Sequence, residues 1–115
     1  MSYEKAAKVI LGQCLNVKKN EKVLVIADKN TKDIGEEIFN EAKKIAKSDF
    51  VLIPVGKHNG EEPPENIAGK ILDFDVVIAP TTKSLTHTKA IKAAKEKGAR
   101  IATLPGITER PLITQ

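Results

Sequence analysis

Two short apolar runs rich in β-branched residues constrain the fold more than any other feature of this 115-residue sequence. Residues 23–27 and 76–79 are apolar throughout, and each run is too short to form a buried helix. A strand with apolar side chains on both faces is typical of a parallel sheet, because helices cover both faces of such a sheet. The sequence therefore predicts an α/β protein.

Helical periodicity and turn residues alternate with strand-like runs along the chain. We expect four strands, over 23–27, 50–55, 76–79 and 99–104. A helix over 4–15 precedes the first strand. The helices between the strands start after Asn30 or Thr31 and end near Lys47, run from Pro64 or Glu65 to about Asp73, and run from about Thr86 to Lys97, where Gly98 ends the last one. Right-handed crossovers place the four strands in one parallel sheet between two helix layers. This is a Rossmann-like or flavodoxin-like three-layer sandwich.

Pro54 predicts the position of the second strand within that sheet. Proline has no amide hydrogen, so a strand that carries it belongs at a sheet edge. The strand order 2-1-3-4 places it there, and it leaves the fourth strand at the opposite edge with no evident cover. Because an exposed strand edge invites pairing with another chain, we expect self-association, most simply as a dimer.

Length and composition limit the classes of protein that this chain belongs to. At 115 residues we expect one domain over residues 1–115, and aromatic residues make up only 3%, so its core must be aliphatic. No apolar run approaches the roughly 20 residues of a membrane helix, and we find no signal peptide. A single cysteine, Cys14, excludes an internal disulfide, so we expect a reducing, cytoplasmic setting. The abundance of Lys and Glu is compatible with a thermophilic source.

The positive charge is concentrated at one end of the chain. The formal net charge is +4, and residues 81–115 carry seven basic and two acidic residues. A helix with Lys89, Lys92 and Lys95 would offer a basic face to nucleic acid. However, Lys outnumbers Arg by 17 to 2, and there are few aromatic residues on which bases would stack. We therefore favour a solvated helix face and do not expect a nucleic-acid partner.

Polar residues follow the first and third strands, where open α/β sheets bind ligands. Asp28 follows the first strand, and a polar stretch after the third contains Thr81, Thr82, Lys83, Ser84 and His87. One interpretation is a small-anion site, in which the amides of the next helix, the hydroxyls and Lys83 receive a carboxylate or phosphate. The other is a polar loop in which Ser84 or Thr86 only caps that helix.

Better-known sites have no counterpart in these residues. The first strand is followed by Asp28 and Lys29 rather than a glycine fingerprint, so we expect no dinucleotide cofactor. His58 and His87 stand apart without the spacing of zinc ligands. A hydrolytic triad of Ser84, His87 and Asp28 is disfavoured, because Ser84 lacks the glycines of a nucleophile elbow. We therefore predict no catalytic residue, metal ligand or cofactor in this chain.

Several segments stand out together, namely residues 6–11 with Cys14, Leu15 and Lys18, and residues 21–25, 58–64, 79–88 and 98–109. In this order they resemble the N-terminal part of archaeal leucyl aminopeptidases of the aminopeptidase T type. The resemblance extends from residue 4 to about residue 109, and residues 79–88 are its most specific part.

The resemblance implies a role within a longer metallopeptidase. The zinc or cobalt ligands of that family lie later in the chain, and no position here matches them. We therefore expect a non-catalytic N-terminal domain that contributes to a substrate cleft or an oligomer interface. Its expected partners are a C-terminal catalytic domain or a second copy, with a peptide as the substrate of the full-length enzyme. The alternative is a stand-alone module that binds a small anion through residues 81–88.

Overall fold

The computed structural model describes residues 4–58, 61–83, 85 and 87–103, and these residues form a three-layer α/β sandwich. Within them, no helix combines the length and the apolar character that a membrane crossing requires. The elements are α1 (Glu4–Val9), which continues into a π-helical segment (Ile10–Cys14), β1 (Lys22–Ala27), α2 (Lys32–Ile45), β2 (Lys47–Leu52), α3 (Glu65–Ile71), β3 (Val76–Ala79), α4 (Lys89–Glu96) and β4 (Arg100–Thr103).

The four strands form one sheet in the predicted order, β2-β1-β3-β4, and every pairing is parallel. At the centre of the sheet, Val25 of β1 lies opposite Phe50 of β2 and Ile78 of β3. The prediction of a doubly covered parallel sheet is therefore confirmed.

Alternate side chains of β1 enter two separate cores. Val23 and Val25 pack against α1 and α2 on one face, whereas Leu24 and Ile26 pack against α3 and α4 on the other. All four are fully buried. The helices contribute the residues that complete these cores, namely Ala7, Leu11, Ile34, Ile38 and Ala42 on the first face and Ile67, Ile71, Ala90, Ile91 and Ala94 on the second.

Strand β2 starts and ends three residues earlier than its apolar run predicted. Lys47 pairs with Lys22 at the start of β1, and Leu52 pairs with Ala27 at its end. Beyond Leu52 the Ile53 amide donates to the Ala27 carbonyl at 2.8 Å, so the amide position of the next residue, Pro54, faces the open edge of the sheet, where no donor is needed. An edge strand exposes many of its side chains, so polar residues at the start of β2 are tolerated.

The first helix also differs from the prediction, because its last turn is π-helical. The Leu15 amide donates to the Ile10 carbonyl at 3.0 Å, five residues back, and Asn16 follows in the left-handed region with φ of 49°. Asparagine tolerates this conformation better than most residues.

Arg100 joins the amino-terminal edge of the sheet to the end of the first helix. Its guanidinium donates to both carboxylate oxygens of Glu21, at 2.7 and 2.8 Å, and to the carbonyl of Leu15 at 2.8 Å. The hydrogen bond from Arg100, with a second from the Lys18 amide, lowers the pKa of Glu21 from its ordinary value of 4.5 to about 2. Glu21 and Arg100 thus tie β4 to the segment that precedes β1.

This lowered pKa predicts a pH dependence of stability. Because the pKa of Glu21 is lower in the folded chain, the carboxylate stabilises the fold fully above pH 4.5, and this stabilisation is lost as the pH falls towards 2. We expect Glu21→Gln to cost about 1 kcal/mol at neutral pH, since solvent screens the partly exposed Arg100, and to flatten the loss of stability between pH 4.5 and 2. Urea denaturation across this range measures both effects. The exposed Glu36→Gln serves as the control, and an equally steep pH profile for Glu21→Gln would contradict the assignment.

Gly35 allows α2 to approach the sheet closely. A Cβ atom at this position would lie 2.8 Å from the Ala27 Cβ and 2.9 Å from the Phe50 Cε1. Neither neighbour is the free end of a flexible side chain, so the helix itself would have to move.

We therefore expect Gly35→Ala to destabilise the fold. Overpacking a core costs about 1–3 kcal/mol, whereas replacing a helical glycine by alanine gains at most about 1 kcal/mol. In Gly69→Ala, the matched control in α3, the new methyl group meets nothing within 4 Å, so this variant should gain stability. Opposite signs in urea denaturation are the expected result, and stabilisation by both variants would contradict the close approach of α2.

Candidate functional site

The carboxyl ends of β1 and β3 are adjacent, and the polar residues that follow them meet there. Asp28 directly follows β1, whereas Thr81 and Thr82 follow β3 after Pro80. The hydroxyl and amide of Thr82 contact the Asp28 carboxylate. The structure thus joins Asp28 and Thr82, which are distant in the sequence.

Asp28 is 1% exposed, and its carboxylate accepts four hydrogen bonds. The Thr82 amide donates to Oδ2 at 2.8 Å, and the Thr82 hydroxyl donates to Oδ1 at 2.9 Å. Oδ1 also accepts from the Asn30 amide at 3.0 Å and from the Thr31 hydroxyl at 3.3 Å. A carboxylate satisfied in this way holds the loop after β3 against the end of β1.

The hydroxyls of Thr31 and Thr81 make further internal hydrogen bonds in this region. Thr31 Oγ1 accepts from the Asp28 amide at 3.0 Å, and the Thr81 hydroxyl donates to the Lys83 carbonyl at 2.6 Å. Thr31 and Thr81 are each 1% exposed. Thr81, which was predicted as a ligand donor, therefore also shapes its own loop.

The amino end of α4, which the anion hypothesis depended on, already binds a carboxylate of this chain. Glu62 accepts from the Lys89 amide at 2.7 Å and from the Ala90 amide at 3.3 Å. Thr88, rather than Ser84 or Thr86, is the N-cap, and its Oγ1 accepts from the Ile91 amide at 3.2 Å. An external anion would first have to displace Glu62.

The contact of Glu62 with α4 was not predicted, because its partners Lys89 and Ala90 lie far along the chain. Residues that cap a helix are sought within a few positions of its start, whereas Glu62 precedes the double proline that opens α3. Its side chain ties the loop between β2 and α3 to the start of α4. No local spacing in the sequence signals such a contact.

A pocket of about 260 Å³ lies between these loops at the carboxyl edge of the sheet. Its apolar lining residues are Ile53, Pro54, Pro63, Pro64 and Leu85. The charged or titratable residues that line it are Asp28, His58, Glu61, Glu62 and Lys83. The loops meet closely here, since a Cβ at Gly56 would lie 3.3 Å from the Lys83 Cβ.

The predicted site residues fall into three groups. Asp28, Thr81 and Lys83 line the pocket, and Thr82 supports it through Asp28. His87 is exposed and does not line it. Ser84 lies outside the described residues.

Among the described residues, no group of three or more His, Cys, Asp and Glu side chains is placed to hold a metal ion. The zinc or cobalt implied by the resemblance therefore has no ligand set in the described part of this chain.

Comparison of the chain with models of protein families, with curated proteins and with solved structures found no match. The resemblance to aminopeptidases of the T type thus stays a prediction from the sequence.

The Asp28 contacts predict a large loss of stability when the carboxylate is removed. Asp28→Ala leaves the amides of Asn30 and Thr82 without acceptors, so we expect a loss of about 2–4 kcal/mol in urea denaturation. Hydrogen exchange of the Thr82 amide should accelerate, because its acceptor is gone. The exposed Asp73→Ala is the matched control. Unchanged exchange at Thr82 in Asp28→Ala would show that this carboxylate does not hold the loop.

Proposed function

We propose that this chain is a non-catalytic α/β domain of an aminopeptidase T-like metallopeptidase, in which its pocket forms part of the substrate cleft. One observation carries the proposal. Described residues of two separate segments that bear the resemblance, 58–64 and 79–88, line the pocket. The first contributes Glu61 and Glu62, and the second contributes Thr81 and Lys83.

The overlap between the resembling segments and the pocket lining is informative because these residues lie in loops. A segment such as 21–25 mostly supplies a buried strand, which many parallel sheets require for packing alone. Glu61 and Lys83, in contrast, lie in loops, where the fold imposes fewer constraints on residue type. Likeness in loops that meet at a pocket supports a shared role in binding.

The carboxyl edge of the sheet is also where ligands bind in folds of this architecture. The pocket joins apolar surface to a small number of polar groups, which is the usual composition of a small-molecule site. In this proposal the domain binds and orients part of a peptide, while residues of another domain hold the metal and carry out hydrolysis.

The geometry favours this role over a stand-alone anion module built on residues 81–88. The Thr82 donors are held by Asp28, and the first amides of α4 are held by Glu62. Such a module would have to release these internal contacts first.

Activity measurements on two proteins test the proposal. The 115-residue chain, supplied with zinc or cobalt, should not hydrolyse leucyl p-nitroanilide. A chimera in which residues 4–109 replace the corresponding domain of an archaeal aminopeptidase of the T type should hydrolyse it. Gly56→Val in the chimera would press against Lys83 and narrow the pocket, so we expect KM to rise about tenfold with an unchanged metal content.

Gly69→Ala in the chimera is the control and should leave KM unchanged, because nothing lies near its new methyl group. Turnover by the isolated chain with stoichiometric bound metal would overturn the non-catalytic assignment. A folded chimera that binds metal but shows no activity would overturn the family assignment.

A further inference from the structure

The charged groups that line the pocket differ in whether the protein already pairs them. Asp28 accepts four hydrogen bonds, and Glu62 accepts hydrogen bonds from two backbone amides of α4. Glu61 accepts from the Lys57 amide at 3.0 Å and lies 3.9 Å from His58 Nε2. Each of the three carboxylates therefore has partners within the chain.

Lys83 is the exception among these groups. Its side chain is half-buried, and within the described ranges its ammonium forms no ion pair with a carboxylate. Hydrogen bonds from neutral amides leave those carboxylates charged, so what distinguishes Lys83 among the charged lining groups is that, within the described ranges, its ammonium has neither a hydrogen-bond partner nor a partner of opposite charge. A ligand that balances it must carry a negative group.

The remaining lining residues define the rest of the ligand. Ile53, Pro63 and Leu85 are buried apolar residues that present a surface for a short hydrocarbon group. The volume of about 260 Å³ lies just below the range of roughly 300–1,000 Å³ that is usual for small-molecule pockets. The ligand must accordingly be small.

The charge of the lining also distinguishes a carboxylate from a phosphate. A singly charged carboxylate matches one ammonium. A phosphate, with a charge near −2 at neutral pH, would leave negative charge unbalanced close to Asp28, Glu61 and Glu62. Repulsion from these groups disfavours the dianion.

We propose that this pocket binds a small aliphatic monocarboxylate, whose carboxylate pairs with Lys83 and whose hydrocarbon group packs against Ile53, Pro63 and Leu85. The inference rests on the proposed function in that it takes the pocket as the ligand cleft, and it specifies the chemical class that the cleft accepts.

Amide-resolved NMR titration of the 115-residue chain with 4-methylpentanoate tests this inference at constant ionic strength. A ligand of about eight non-hydrogen atoms should bind with Kd of about 1 mM and shift the amides of Gly56 and Lys83 saturably. The neutral isostere 4-methylpentanamide should bind about tenfold more weakly, because it lacks the charge. Inorganic phosphate should also bind more weakly.

Lys83→Gln should weaken binding of the carboxylate about tenfold and leave binding of the neutral amide unchanged. Lys92→Gln, on the exposed face of α4 and outside the pocket, is the matched control and should behave like the wild type. The dispersion of the amide spectrum reports whether each variant is folded.

Three results would overturn the inference. They are equal affinity for the carboxylate and its neutral amide, tighter binding of phosphate, and carboxylate affinity that Lys83→Gln does not change. Absence of saturation at 4-methylpentanoate concentrations up to about 50 mM would also overturn the inference, since this concentration is many times the expected Kd. If the chimera is active and the titration fails, the proposed ligand class is wrong and the proposed function stands. If the chimera is inactive and the carboxylate binds, the family role is wrong and the ligand class stands.

Discussion

The burial of β1 on both faces is the constraint on which the rest of the structure depends. Its side chains alternate between two cores, so helices must cover each face of the sheet, and its backbone pairs with β2 on one side and β3 on the other. The same strand delivers Asp28 to the carboxyl edge, where the carboxylate holds the loop after β3. Packing of a central strand thus fixes the position of the candidate site.

The sequence predicted every strand of the sheet, and it placed the limits of strands set by apolar side chains more accurately than those set by backbone pairing. β3 matches its predicted range, because an uninterrupted apolar run between turn signals has one stable place in a parallel sheet. β2 is displaced because its limits follow the ends of β1, and an edge position tolerates Lys47 and Asp49. The π-helical turn at the end of the first helix carries no signal in the apolar periodicity, which fits an α-helix equally well.

The candidate site was predictable in location but not in its contacts. Parallel topology alone brings the ends of β1 and β3 together, so the proximity of Asp28 to Thr82 follows from strand order. The bond between Glu62 and the start of α4 depends on the path of the loop between β2 and α3, which has no regular repeat to reveal it. Long-range contacts between loops therefore determine which hydrogen-bond donors at the site are already bonded within the chain.

Charged residues at the amino ends and at the carboxyl ends of the strands have different structural roles. At the amino edge, Asp75 accepts from the Lys22 amide at 2.9 Å, and Arg100 binds Glu21, so charged groups there join β1 to β3 and the segment before β1 to β4. At the carboxyl edge, Asp28 and Glu62 also accept hydrogen bonds from backbone amides, which stabilise these carboxylates in their charged form. These carboxylates hold the loops around the pocket, and in our proposal Lys83 is the lining residue that pairs with the ligand.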